Sequence, residues 1–244
     1  MSVYANTDIR WYVGQYAVSS RAKSATFGVD CDVLDTTAIS TSGWTEVIAG
    51  KKSGQFSLEL MSDFADAGLD ETMFAALGTA DVTQSFSVGS TVGSPGYTFK
   101  SLSTQYVPIQ GEPGALAMAS LSGSSSGAIA RGKMLAVDGT AITSSGTGAA
   151  VQVGALTSTQ VLYAGLHVTA ASGTTPTLAV VIQSDTVGFP SATSRITFST
   201  ATDTTNRYQL SSVAGAITDD YWRVSYTLGG TSPSFQFAVV VGIG

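Results

Sequence analysis

Apolar and polar positions alternate in short runs along most of this chain, and the alternation predicts β-structure nearly throughout. From Gln55 to Leu60 it is strict. Phe56, Leu58 and Leu60 fall on one face and Gln55, Ser57 and Glu59 on the other, as in a half-buried antiparallel strand. Trp11–Val18 is aromatic and β-branched and reads as a strand, followed by a polar turn at Arg21 and Lys23. Further strands are predicted at Gln55–Met61, Gln84–Val88, Tyr97–Thr104, Gly114–Ser122 and Ala128–Val137, with a Gly/Ser-rich tip at Ser122–Gly127. One helix is predicted over Asp66–Leu77. Leu69, Met73 and Leu77 recur at helical spacing, Asp66, Asp70 and Glu71 crowd the first turn, and Gly78 follows the last. Val29–Gly50 reads as a long loop in which Val33, Leu34, Ile39 and Trp44 stand among Thr, Ser, Asp and Gly. Loops ordinarily solvate their side chains, so these apolar anchors are expected to be buried on a neighbouring subunit.

Residues 138–150, rich in Gly, Ser, Thr and Ala, read as a dispensable linker. The composition then shifts, and no Asp, Glu, Lys or Arg occurs from Gly139 to Ser184. Strands are predicted at Val151–Leu156, Val161–Thr169, Thr177–Gln183, Ser194–Phe198, Arg207–Leu210, Tyr221–Leu228 and Phe235–Val241. Turns at Ser172–Pro176 and Gly229–Pro233 separate four of them. Short strands at regular spacing without a competing helix argue for a β-sandwich or jelly roll. The expected division is therefore 1–137, a linker at 138–150, and an all-β domain at 151–244, mainly β overall with one short helix. No internal repeat is visible, and the second half lacks an equivalent of the helix, which weighs against a duplicated fold.

Charged residues make up only 11% of the 244, against roughly a quarter in ordinary soluble domains. Low surface charge leaves little repulsion against self-association, which points towards an assembled particle. The net charge of −6 offers no cationic footprint for gripping nucleic acid. Cys31 is the only cysteine, so no intrachain disulfide can form. The N-terminus lacks the basic and apolar regions of a signal peptide, and no run reaches the length of a membrane span. Synthesis in a cytoplasm without export is the expectation.

Catalytic chemistry finds little support. His167 is the only histidine and lies in a strand pattern with no partner motif around it. Gly123-Ser124-Ser125-Ser126-Gly127 matches G-x-S-x-G but sits in a Ser/Gly run without the strand-to-helix context of a nucleophile elbow. One Cys and one His cannot furnish a zinc shell. Asp30, Asp32 and Asp35, or Asp219 and Asp220, do not follow a calcium-loop pattern. No catalytic residue, metal site or cofactor is expected. Trp222 reads as a core residue before it reads as an aromatic platform for sugar.

The order of parts in the first half resembles the major tail tube proteins of long-tailed bacteriophages. An aromatic N-terminal strand is followed by D-V-L-D-T-T, Trp44, I-A-G-K-K, F-S-L-E-L and then a short helix, over about residues 1–135. The second half resembles accessory β-domains appended to phage tail proteins. The likeness runs through Leu166-His167-Val168 with S-G-T-T-P-T-L, I-T-D-D-Y-W-R-V-S-Y and G-G-T-S-P-S-F. The resemblance implies a tail-tube-type β-sandwich that joins its neighbours in a hexameric ring. Rings would stack into a tube around a tape-measure protein, meet tail terminator and tail tip proteins, and pass DNA without specific binding. It places the protein in the virion tail and implies that Leu34, Asp35, Ile39 and Trp44 make inter-ring contacts while Gln55, Ser57 and Glu59 face the lumen. The competing expectation is a carbohydrate-binding adhesin or fibre module centred on the aromatics of 151–244.

Overall fold

The computed structural model describes residues 8–38, 43–65, 68–79 and 81–244. Among them the chain forms thirteen strands and one helix. In order these are β1 (Arg10–Val13), β2 (Tyr16–Ala17), β3 (Ala22–Asp35), β4 (Val47–Met61), α1 (Leu69–Ala75), β5 (Val82–Ser87), β6 (Pro95–Gln110), β7 (Met118–Ala136), β8 (Gly146–Thr147), β9 (Val151–Gln152), β10 (Val161–Asp185), β11 (Thr193–Thr197), β12 (Tyr208–Ala214) and β13 (Tyr221–Ile243). The fold is mainly β with one short helix, as the alternation predicts.

Two compact units are present: one of residues 1–21, 80–101 and 126–244, the other of 22–79 and 102–125. They do not fall at the expected boundaries near 137 and 151. The larger unit is built on β10 and β13, which pair antiparallel from Leu162 opposite Ile243 to Asp185 opposite Tyr221. The turns expected at Ser172–Pro176 and Gly229–Pro233 are not chain reversals. They lie opposite each other as irregularities in two continuous strands, where the register shifts and Gly173, Thr175, Gly230 and Ser232 take positive φ. Turn-forming residues there absorb a local bulge in a long ribbon. Strands β11 and β12 line the other edge of β10, while β7, β8 and β9 pair with β13. The core of this unit includes Leu162, Leu166, Val180, Ile182, Trp222, Val224 and Phe235.

The expected linker is tied down along this ribbon. Ile142 bridges Phe235, the Leu228 amide donates to Ser145 Oγ at 2.9 Å, and the Tyr12 hydroxyl donates to Asp138 at 2.6 Å. The first strands also belong to this unit: β1 pairs with β5, and Tyr12 is buried with Met134, Ala238 and Val240.

In the smaller unit β3 and β4 form one long hairpin, and β4 pairs in turn with the first part of β7. Three expectations are corrected here. Ser122–Gly127 is not a tip but lies inside β7, because serines alternate across its faces as in any strand. The polar turn at Lys23 is strand as well, and helix α1 is shorter than the spacing implied. Gly123 has a packing reason: a Cβ there would lie 2.9 Å from the Phe56 ring and collide with the Leu102 carbonyl.

Candidate functional site

Strand β4 presents two different surfaces in the smaller unit. Phe56, Leu58 and Leu60 are buried, while Gln55, Ser57 and Glu59 are exposed, as their alternation predicts. Cross-strand register extends the exposed face into three polar rows. Gly28, Gln55 and Ser124 form the first, Thr26, Ser57 and Ser122 the second, and Ser24, Glu59 and Ser120 the third. Ser24 donates to Glu59 Oε2 at 3.0 Å. Between the rows lies an open concavity of about 410 Å³, lined in part by Thr26, Asp30, Gln55, Ser57 and Thr104. Hydroxyls and amides dominate it, and none of these row residues is a cation.

The second surface is the hairpin arm. The segment read from sequence as a loop is two paired strands closed by a short connection, with Leu34 opposite Ile48 and Asp35 opposite Val47. The Thr36 amide donates to the Glu46 carbonyl at 2.8 Å, and the Glu46 amide donates to Thr37 Oγ1 at 2.9 Å. Asp35 accepts the Thr37 amide at 2.8 Å. The Thr37 side-chain and backbone hydrogen bonds hold its carboxyl below the usual carboxylate pKa. Leu34 is 51% exposed and Trp44 81% exposed. Ile39 lies outside the described residues. Val29, Val33, Val47 and Ile48 are exposed too, and of these only Val33 is among the anchors read from the sequence. Their signal was present as β-branched residues on either side of a Thr/Ser turn, obscured by the bulge between Cys31 and Val33.

The residues weighed for catalysis are structural. His167 is fully buried. Its Nδ1–H donates to the Gly14 carbonyl at 2.7 Å, so in the neutral ring Nε2 accepts from Ser85 Oγ at 2.8 Å. It stacks on Tyr12 with ring centroids 5.2 Å apart. Burial lowers its pKa to about 4. Trp222 is buried, with its indole N–H donating to the Gly154 carbonyl at 2.9 Å. Ser184, Arg195 and Asp219 close on one another, Arg195 Nη2 lying 2.9 Å from Asp219 Oδ2. Ser125 of the G-x-S-x-G match accepts the Gly54 amide from within β7. Among the described residues no three His, Cys, Asp or Glu gather as metal ligands, and no helix is long and apolar enough to cross a membrane.

The chain matches no protein-family model and no curated protein. Several solved structures are similar to it. One from the virion of a native gene transfer agent particle is 16% identical, with a TM-score of 0.44 over 53% of this chain and 98% of the other. A protein of the anti-feeding prophage tube-terminating cap is 9% identical, with a TM-score of 0.44 over 55% and 93%. The Dit protein of phage SPP1 is 10% identical, with a TM-score of 0.32 over 96% and 98%.

Proposed function

We propose that this protein is a non-enzymatic structural subunit of a phage-type virion tail, assembling with copies of itself into stacked rings that enclose a channel for DNA. The observation that carries the reading is the hairpin arm. Six large apolar side chains, Val29, Val33, Leu34, Trp44, Val47 and Ile48, are exposed along it. They fall on both faces and in the connection of one two-stranded ribbon, and a partner surface is the ordinary reason for so many exposed apolar side chains in one element. Leu34, Asp35, Ile39 and Trp44 are assigned to contacts between rings. The polar rows through Gln55, Ser57 and Glu59 are assigned to the channel wall. The residues of these rows carry no cation and so offer DNA no phosphate contacts to hold it during passage. Tape-measure, terminator and tip proteins are the partners this reading requires.

Negative-stain electron microscopy of the purified chain tests the reading: hollow rods of uniform width are expected. A chain that stays monomeric at every concentration, or that retains duplex DNA in a gel shift at physiological salt, counts against it. The sugar-binding alternative is weaker, because Trp222, the aromatic it would present, is buried in the core.

A further inference from the structure

In the larger unit, residues 235–243 of β13 lie between two strands that are distant in sequence. On one side 239–243 pair with 162–166 of β10, and on the other with 131–136 of β7. Both faces are covered. Phe235, Phe237, Val239 and Val241 enter the core that holds Leu162 and Leu166, while Ala238 and Val240 pack with Tyr12 and Met134. The backbones of β7 and β13 come close enough to require glycine on each: a Cβ on Gly132 would collide with the Val241 carbonyl, and one on Gly242 with the Ala130 carbonyl. The place this strand occupies is therefore a slot of fixed register, with a ladder on both edges and a core on both faces.

The chain enters this slot through a strained corner. Residues 229–234 lie opposite 172–177, where β10 and β13 lose register. Thr175 and Ser232 hold positive φ there, 49° and 50°, a conformation unfavourable to any residue with a Cβ and most of all to a β-branched one. Gly230 takes φ 98°, and a Cβ on it would lie 2.5 Å from the Thr175 carbonyl oxygen. Straightening the corner releases this strain and swings 234–243 away from β10 as one piece. No Asp, Glu, Lys or Arg occurs in 139–184 or in 224–244. Strand, corner and the β10 side of the slot thus carry no charge that repels an identical strand.

We infer that residues 234–243 are an exchangeable strand: with the corner straightened, the strand of one copy fills the slot between β7 and β10 of a second copy, and the reciprocal strand fills the first. The occupant is set by the structure, because the strand that fits the slot already sits in it with both ladders formed. Exchange for an identical strand keeps those ladders and the buried contacts of 235–243, now supplied by the partner, and relieves the corner. What opposes it is the entropy of association, so the exchanged form grows with concentration. Leaving a filled slot breaks both ladders, which confines exchange to folding and keeps the settled subunit closed. Two copies trading one element form a closed pair. The contact uses neither the arm nor the polar rows, and it stands on the fold of the larger unit independently of the assembly reading.

The test divides a disulfide between two full-length chains. Arg131 and Ile243 are direct ladder partners and neither is fully buried. One chain carries R131C and the other I243C, each with C31S to remove the exposed native thiol. Neither can form a bond within itself, so an R131C–I243C link reports the strand of one copy lying on β7 of another. The two are unfolded in denaturant, refolded together, oxidised, and run on a non-reducing denaturing gel. A linked heterodimer is expected, its share rising with protein concentration. The same two chains refolded apart and mixed afterwards are expected to stay unlinked, which separates exchange from any contact between folded copies. Adding G230A to both chains forces a methyl against the Thr175 carbonyl in the closed corner and should raise the heterodimer severalfold. No heterodimer after joint refolding, an equal yield from chains mixed after folding, or no increase with G230A in chains that fold overturns the inference, and none of these results bears on whether the protein builds rings.

Discussion

Replacing Trp44 by Ala together with Leu34 by Ser should abolish the stacking of rings into long tubes and leave the subunit folded. The structure sets the sizes of the two effects. Trp44 is 81% exposed, and a large aromatic side chain buries roughly 150–250 Å² when fully covered. Docking it would remove about 150 Å² from water, worth ~4 kcal/mol at about 25 cal/mol per Å² as an upper figure. Leu34, half exposed, adds ~1 kcal/mol. Truncating an interface aromatic that acts as an anchor commonly costs about 2 kcal/mol or more, which already weakens association roughly 30-fold. Within the subunit only the covered fraction of each side chain is lost, roughly 1–2 kcal/mol together. For a chain of this size that lowers the melting temperature by roughly 2–8 °C. Thermal unfolding and electron micrographs of the same preparations give both readings. Long tubes surviving in the double variant, or a subunit that no longer folds, would each refute the assignment of the arm to assembly.

Three further outcomes follow from the core. His167 has a folded pKa of about 4 against 6.5 for the free side chain, so the unfolded chain takes up the proton first as pH falls. Stability is then lost between pH 6.5 and 4, by about 3 kcal/mol from this group; as the only histidine, its ring should give one NMR signal that stays neutral to near pH 4, and a midpoint near 6.5 sinks the argument. A chain ending at Val137 uncovers Tyr12 and Met134, which are buried with Ala238 and Val240, and removes the partner strand of Lys133–Ala136; it should be insoluble or show collapsed amide dispersion, whereas a well-dispersed spectrum would establish 1–137 as a separate domain. Gly123→Ala forces a methyl against Phe56 and the Leu102 carbonyl and should cost about 1–3 kcal/mol by denaturant titration, with no loss meaning that β7 yields there freely.

The alternation of Phe56, Leu58 and Leu60 against Gln55, Ser57 and Glu59 was legible because burial on one face is a local property of a strand. The rows that complete that face were not, since they depend on pairing with Thr26 and Ser122, distant in sequence. Continuous β7 was hidden because all six residues from Ser122 to Gly127 are Ser or Gly, a flexible-looking run that becomes strand only through pairing with neighbouring strands distant in sequence. Likewise Gly173, Thr175, Gly230 and Ser232 carry turn chemistry, yet they face each other across one ribbon, so the positive-φ residues serve a bulge. The position of Gly14 and Ser85 against His167 was equally out of reach, since that contact spans 153 and 82 residues of sequence.

The charges and bulges of β3 bear on how such a chain avoids uncontrolled pairing. Among the described residues β3 pairs with β4 alone, so its other edge presents backbone donors and acceptors along fourteen residues. A long edge carrying Val29, Val33 and Leu34 is a template for indiscriminate strand addition. Lys23, Asp30, Asp32 and Asp35 lie along it, and register shifts fall between Ala22 and Ser24 and between Cys31 and Val33. Charges and bulges are the ordinary means of blunting an edge, because a flat added strand must bury the one and misalign at the other. The acids and bulges along β3 therefore disfavour edge-to-edge association, while the apolar side chains of the arm remain exposed without requiring that edge to pair.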